Sequence, residues 1–295
     1  MISVIISSIN KDMLAAVSQN IADTIGVPFE ILGIDNSNGA YGICAVYNQG
    51  ARQAQYDMLC FVHEDVEFKT SNWGQQVINL FNENAQLGLL GVAGSTYKNA
   101  APSGWHGAGI LTDHVNILQG YKHTTNQLQH YYRNPNNEKF TEVVCIDGVW
   151  MCTPRVVALQ IPFDEYTFTG FHAYDIDFSL AVRQHYKVAV TYEILMHHFS
   201  EGNFDKKWVF EILKLYNKWY KHLPAQTLPL SSKDQLTAER ETFYSFIEQA
   251  IKAEVPMLQV YRALWHCTIY RRKFPALFFK LNKHIYRLYK AARNN

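Results

Sequence analysis

Four short apolar runs, the first of them rich in β-branched residues, open this chain and alternate with amphipathic segments. That alternation restricts the fold more than any other feature. Ile2–Ile9 reads as a buried strand, and Asn10 as the cap of a helix with apolar positions at Leu14, Val17 and Ile21. Phe29–Ile34 reads as a second strand, closed by the turn cluster Asp35-Asn36-Ser37-Asn38-Gly39. Ala45–Gln55 and Trp73–Asn82 read as helices, Met58–Val62 and Leu87–Val92 as the third and fourth strands. Strand–helix units of this size predict an α/β fold, a parallel sheet covered by helices. Ligand sites in such sheets lie beyond the carboxyl ends of the strands.

From about residue 95 to 140 the chain is rich in Gly, Asn, His, Tyr and Gln with weak periodicity, which predicts a looped excursion bordering a substrate cleft. Order returns at Glu142–Cys152, at an Asp175–His185 helix and at a Lys187–Leu195 strand. Beyond Gly202 the pattern is helical: Trp208–Trp219, Ala238–Ala253 and Met257–Ala292, with the proline-bearing Leu223–Leu230 as linker. This predicts a catalytic domain over 1–203 and a helical extension over 204–295.

Charge sharpens the division. The formal net charge is +1, but Val255–Asn295 holds nine Lys/Arg and no acidic residue, so the first 254 residues carry −8. The balance argues against a bulk nucleic-acid binder, and 48% hydrophobic residues exclude intrinsic disorder. Five irregularly spaced cysteines without a C-x-x-C pair predict free thiols rather than a disulfide framework or zinc ribbon. The apolar start lacks a basic flank and reads as a strand, not a signal peptide, and no run reaches the ~18 apolar residues of a membrane span. Together these predict a cytoplasmic protein. Dinucleotide, P-loop, zincin and α/β-hydrolase signatures are absent from the sequence.

Several features carry possible chemistry. Asp35 closes the second strand, Asn48 and Gly50 lie in the next segment, and His63-Glu64-Asp65 follows the third strand directly. Asp175 and Asp177 open a later helix, and His197-His198 follow the strand ending at Leu195. An apolar strand that runs into an acidic tripeptide suits an oxygen-preferring cation that keeps phosphates in its shell. A solvated turn is the competing reading.

In order and spacing, MISVIISSIN, ILGIDNSNG, YNQGARQAQYDMLCFVHEDV, IDGVWMCTPR, FHAYDIDFSLAVRQHYKV and MHHFSEG resemble family 2-type glycosyltransferases of the GT-A fold, especially the bacterial capsule and surface-polysaccharide branch. The resemblance covers roughly residues 1–203. It implies nucleoside binding by Ser7, Ser8, Asp35 and Asn48. The family's D-x-D motif falls on His63-Glu64-Asp65, which implies Asp65 on Mn²⁺ or Mg²⁺, with His63 and Glu64 near the donor's ribose or phosphates. The family's catalytic Glu-Asp falls on Tyr174-Asp175, so Asp175 is the implied general base and Asp177 the alternative. His198 matches a histidine that completes the metal or diphosphate site. Asp147 and Trp150 fall on the acceptor side, where Trp150 either stacks on a sugar or fills the core.

The implied reaction is inverting transfer from a nucleotide-sugar, a UDP-sugar by resemblance, to a glycan or lipid-linked acceptor. Basic residues interleaved with aromatics between 257 and 293 predict a helix on an anionic membrane surface, at the inner face of the cytoplasmic membrane. Packing of that aromatic face on the protein is the competing reading. A nucleotidyltransferase would need a Gly-rich basic loop where SSINKDM stands. A non-catalytic partner or scaffold is the reading that the His63 and Tyr174 departures leave open.

Overall fold

The computed structural model describes residues 1–120, 128–200, 202 and 204–293; Glu201 of the MHHFSEG stretch, part of the 95–140 excursion and the Arg293 side chain lie outside the described residues. The strands are β1 (Ile2–Ser8), β2 (Phe29–Asp35), β3 (Met58–Val62), β4 (Val66–Phe68), β5 (Leu87–Gly91), β6 (Ala93–Ser95), β7 (Tyr97–Lys98), β8 (Asp113–Gln119), β9 (Gln129–Arg133), β10 (Phe140–Val143), β11 (Cys145–Ile146), β12 (Trp150–Pro154), β13 (Lys187–Thr191), β14 (Met196–His198) and β15 (Ala225–Gln226). The helices are α1 (Lys11–Thr24), α2 (Ile43–Gln53), α3 (Trp73–Glu83), α4 (Arg155–Gln160), α5 (Tyr174–Val182), α6 (Lys206–Trp219), α7 (Ser232–Lys252), α8 (Met257–His266), α9 (Thr268–Arg272) and α10 (Pro275–Arg293).

Each of the four opening apolar runs forms a strand, and Asn10 caps α1 by accepting from the backbone N–H groups of Asp12 and Met13. The main sheet runs β10-β13-β5-β12-β3-β1-β2, with β3, β1 and β2 parallel. It is mixed rather than wholly parallel, because β12 runs antiparallel to both β3 and β5. Gly50 lets α2 lie close on β1, since a Cβ there would sit 2.4 Å from the Ile5 side chain. A second sheet runs β11-β6-β8-β14-β4, with β9 on β8. The excursion thus contributes sheet where loop was expected.

β3 and β12 also bring Cys60 opposite Cys152, and the two are joined by a disulfide, against the expectation of free thiols. Cross-strand register, invisible in a spacing of 92 residues, makes the pair. Cys44, Cys145 and Cys267 are free and buried.

The chain divides into two units. One comprises Met1–Ser95 and His114–Gly202, the other Thr96–Asp113 and Asn203–Asn295. In the second unit the Thr96–Asp113 segment joins the helices through Glu239. This buried carboxylate accepts from the Tyr97 hydroxyl at 2.6 Å, the Tyr270 hydroxyl at 2.5 Å and the Ala100 N–H at 2.9 Å. Burial pushes the Glu239 carboxyl above its ordinary value.

The basic tail breaks at Cys267 and at Pro275 into α8, α9 and α10 rather than forming one stretch. Phe274, Leu277, Phe278, Leu281 and Ile285 are buried in the core of this unit. At ~1.5–3 kcal/mol per buried large apolar side chain, packing takes most of the aromatic face expected at a membrane. Phe279 and Tyr286 remain exposed beside Lys280, Lys283 and Arg287. No helix among the described residues is long and apolar enough to cross a membrane.

Candidate active site

The residues singled out by sequence fall largely at one end of the main sheet. β1 and β2 finish at Ser8 and Asp35, which are register partners, and β3 finishes one residue before His63. His63, Glu64 and Asp65 form the connection between β3 and β4, and their side chains alternate in direction. That alternation splits the tripeptide into two jobs.

Glu64 faces back to the β1–α1 turn. Its carboxylate accepts from the Ser8 hydroxyl at 2.7 Å and from the N–H groups of Ile9 and Asn10. Glu64 and the buried Ser8 thus hold the β1–α1 turn together, whereas the resemblance implied that they face the donor. Ser7 is half-buried beside them.

His63 and Asp65 point the other way. β14 pairs antiparallel with β4 and sets His198 opposite Val66, which brings its imidazole Nε2 within 3.5 Å of an Asp65 oxygen. The His63 Nδ1 lies 4.0 Å from the other Asp65 oxygen. One ligand atom from each of His63, Asp65 and His198 can be chosen with all three within 4.8 Å of one another. Burial opposes ionisation of Asp65. The hydrogen bond to His198 and the charges of His198 and His63, with the Ser200 hydroxyl at 2.5 Å, outweigh it and hold the carboxyl well below its usual range. Burial, then the charge of His198, lowers the His63 imidazole. His197 lies on the opposite face, 4.0 Å from Glu67.

Two imidazoles and an ionised carboxylate fit a divalent cation. Ligands at roughly 2.0–2.2 Å from one ion lie about 3–4 Å apart, and the two imidazole–carboxylate distances, 4.0 and 3.5 Å, are of that order. Nitrogen donors suit Mn²⁺ better than Mg²⁺, which prefers all-oxygen shells. His63 thus stands among the three side chains that could hold the ion, where the resemblance had directed it to ribose or phosphate. The signal was present in the sequence: residues two apart at a strand end share a face.

The second chemical group comes from α5. Ala173 adopts the left-handed conformation, φ 66°, and turns the chain into the helix. Asp175 in the first turn accepts from the Gly148 N–H at 3.0 Å. Burial, then the neighbouring charge of Asp147, pushes its carboxyl up to about 7. Asp147 itself accepts from the Val149 N–H at 2.8 Å, and its charge acts on Asp175. Asp175 is half-buried, whereas Asp177, two residues along the helix and so about 200° around it, is buried at 2% exposure. Of the two carboxylates, Asp175 is the more accessible to solvent.

Tyr174 is a residue that sequence reading treated only as a departure. Its hydroxyl lies 2.7 Å from His63 Nε2 and donates to the Gly148 carbonyl at 3.1 Å. A Cβ on residue 148 would fall 2.2 Å from that hydroxyl, so Gly148 is required for the approach.

Asn48 and Trp150 are buried, and Asp35 stands at the strand end. Asn48 is buried, its amide donating to the Phe163 carbonyl and accepting from the Phe163 N–H, so it braces the chain where the resemblance implied a nucleoside contact. Trp150 is fully buried, with Trp73 edge-on at 6.1 Å and Phe68 at 6.4 Å; its ring fills the core and cannot stack on a sugar. Asp35 is exposed at the strand end; hydrogen bonds from the Ser37 side chain and then from the Ser37 N–H hold its carboxyl below the ordinary value.

Among solved structures the chain is similar to GalNAc-T7, crystallised with UDP, GalNAc and Mn²⁺, at 12% identity and a TM-score of 0.50. The alignment covers 87% of this chain and 58% of that one, so this chain matches little more than half of that protein. It is also similar to S. aureus TarS 1-349, at 12% identity and a TM-score of 0.48, with 97% and 91% of the two chains covered. No curated protein matches it in sequence. With residues 3–222 matched by its family model and the α/β architecture shared with GT-A structures, the chain belongs to the glycosyltransferase-like family.

Proposed function

We propose that this glycosyltransferase moves a sugar from a UDP-sugar to an acceptor hydroxyl with inversion, using Mn²⁺ held by His63, Asp65 and His198. The observation that carries the reading is the convergence of those three side chains on one point at the carboxyl end of the sheet. A bound divalent cation supplies neutralisation of the charge that develops on the diphosphate leaving group. Asp35, exposed at the end of β2, and half-buried Ser7 near the end of β1 are the remaining nucleoside contacts from the sequence set.

Asp175 takes the acceptor proton as the hydroxyl attacks the anomeric carbon. Its raised pKa makes it a competent base near neutral pH. A single base without an enzymic nucleophile implies inversion, by analogy with glycosidase logic. Asp147 acts here by raising the basicity of Asp175 rather than as a simple acceptor contact. A glycan or lipid-linked acceptor in bacterial surface-polysaccharide synthesis suits the chain, since the exposed basic and aromatic positions of α10 favour peripheral association with an anionic cytoplasmic membrane.

Thermal melting with a panel of nucleotide-sugars tests the reading. A UDP-sugar should raise Tm in Mn²⁺ and lose most of that shift in EDTA. A shift of equal size with and without metal refutes it.

A further inference from the structure

We propose that Tyr174 is a positioning residue for the metal site, setting His63 in the tautomer that leaves Nδ1 free to face Asp65 and His198. This rests on the metal reading above.

The argument is one of proton bookkeeping. A tyrosine hydroxyl has one proton to donate and lone pairs to accept with, whereas a carbonyl can only accept. The Tyr174 hydroxyl stands 3.1 Å from the Gly148 carbonyl and 2.7 Å from His63 Nε2. Its single proton goes to the carbonyl, so Nε2 must carry the proton of the shorter bond. The reverse direction would strip that hydrogen bond from a buried carbonyl. A neutral imidazole protonated at Nε2 has its lone pair on Nδ1, the atom 4.0 Å from Asp65. A metal-ligating histidine held through its other ring nitrogen by a hydrogen-bonding partner is a recurrent device. Here the partner is a phenol, itself anchored on backbone.

The tyrosine is built to stay in place. It is buried, with the rings of Tyr47 and Phe163 at 5.8 and 6.3 Å. Ala173 turns the chain into its helix, and Gly148 leaves room for the hydroxyl alone. Any side chain at residue 148 would displace the atom that orients His63.

Nitrogen-15 NMR of the metal-free wild-type protein reads the His63 tautomer directly, and needs no variant. The proton should be on Nε2. Mn²⁺ titration without nucleotide then compares wild type, Tyr174→Phe, His63→Ala and the double variant, with metal-free melting as the folding control. Tyr174→Phe should weaken Mn²⁺ ~10–100-fold, the usual scale for loss of such a partner, while the metal-free protein still melts cooperatively, at a lowered Tm because two buried groups lose their partner. In the His63→Ala background it should cost nothing further. A proton on Nδ1, unchanged Mn²⁺ affinity in Tyr174→Phe, or an undiminished loss in the double variant overturns the inference while the metal reading stands. A wild-type protein that does not bind Mn²⁺ overturns both.

Discussion

Replacing Asp175 with Asn should stabilise the protein, and increasingly so as pH rises. The wild-type carboxyl goes from an ordinary 3.8 to about 7 in the folded state, pushed by burial and then by Asp147. The folded chain therefore holds this proton where the unfolded chain has released it. The associated stability is present below pH ~4 and is lost as pH climbs through about 7. At ~1.4 kcal/mol per pH unit the full loss is about 4 kcal/mol, an upper bound for a half-buried group, with about 2 kcal/mol of it between pH 5.5 and 8.5. Asn keeps an acceptor for the Gly148 N–H and removes only the charge. Denaturant unfolding of both proteins in EDTA at pH 5.5, 7 and 8.5 measures the difference. The variant should gain on the wild type by ~1–2 kcal/mol across that range, with unchanged m-values. A difference that stays flat with pH would show that the carboxyl ionises normally, and the poised base would be lost with it.

The same variant should lower turnover by ~10²-fold or more with donor affinity roughly kept, and wild-type kcat/KM for donor hydrolysis should climb to a plateau above about pH 7; a flat profile counts against Asp175 as base. Asp65→Ala should abolish the Mn²⁺-dependent part of UDP binding, read by calorimetry with and without metal, and should lower the metal-free melt at neutral pH while leaving it cooperative, since the ionised carboxylate contributes stability there; metal-dependent UDP binding kept at the wild-type level refutes it. Gly148→Ala should weaken Mn²⁺ binding although it adds only a methyl group, because that methyl would sit 2.2 Å from the Tyr174 hydroxyl; wild-type affinity would refute the close packing. The full-length protein should sediment with anionic but not neutral vesicles and be released by high salt, through Lys280, Lys283, Arg287 and Lys290; equal recovery with both lipids leaves α10 a structural helix only.

What the sequence determined by itself is the local alternation and the end of the sheet at which chemistry gathers. β-Branched runs such as Ile2–Ser8 specify strands by burial alone, Asn10 specifies a cap, and the first three strand ends carry Ser8, Asp35 and His63 to one edge whatever packs above them. Asp175 was legible for the same reason, as an acidic residue in a helix's first turn. What only the tertiary structure decided depends on partners distant in the chain. Glu64 looked like a donor ligand, but its oxygens meet the Ser8 hydroxyl and the Ile9 and Asn10 amides of a loop 54–56 residues away. Asn48 is claimed by Phe163 across 115 residues, and Trp150 by the Phe68–Trp73 stack. Cys60 meets Cys152 because two strands pair in one register. A carboxylate, an amide or an indole has the same hydrogen-bonding and burial appetite wherever it stands in a sequence. Which group satisfies it first is a matter of proximity in the fold, and Tyr174, a departure from the family pattern in sequence, becomes the contact that ties α5 to His63.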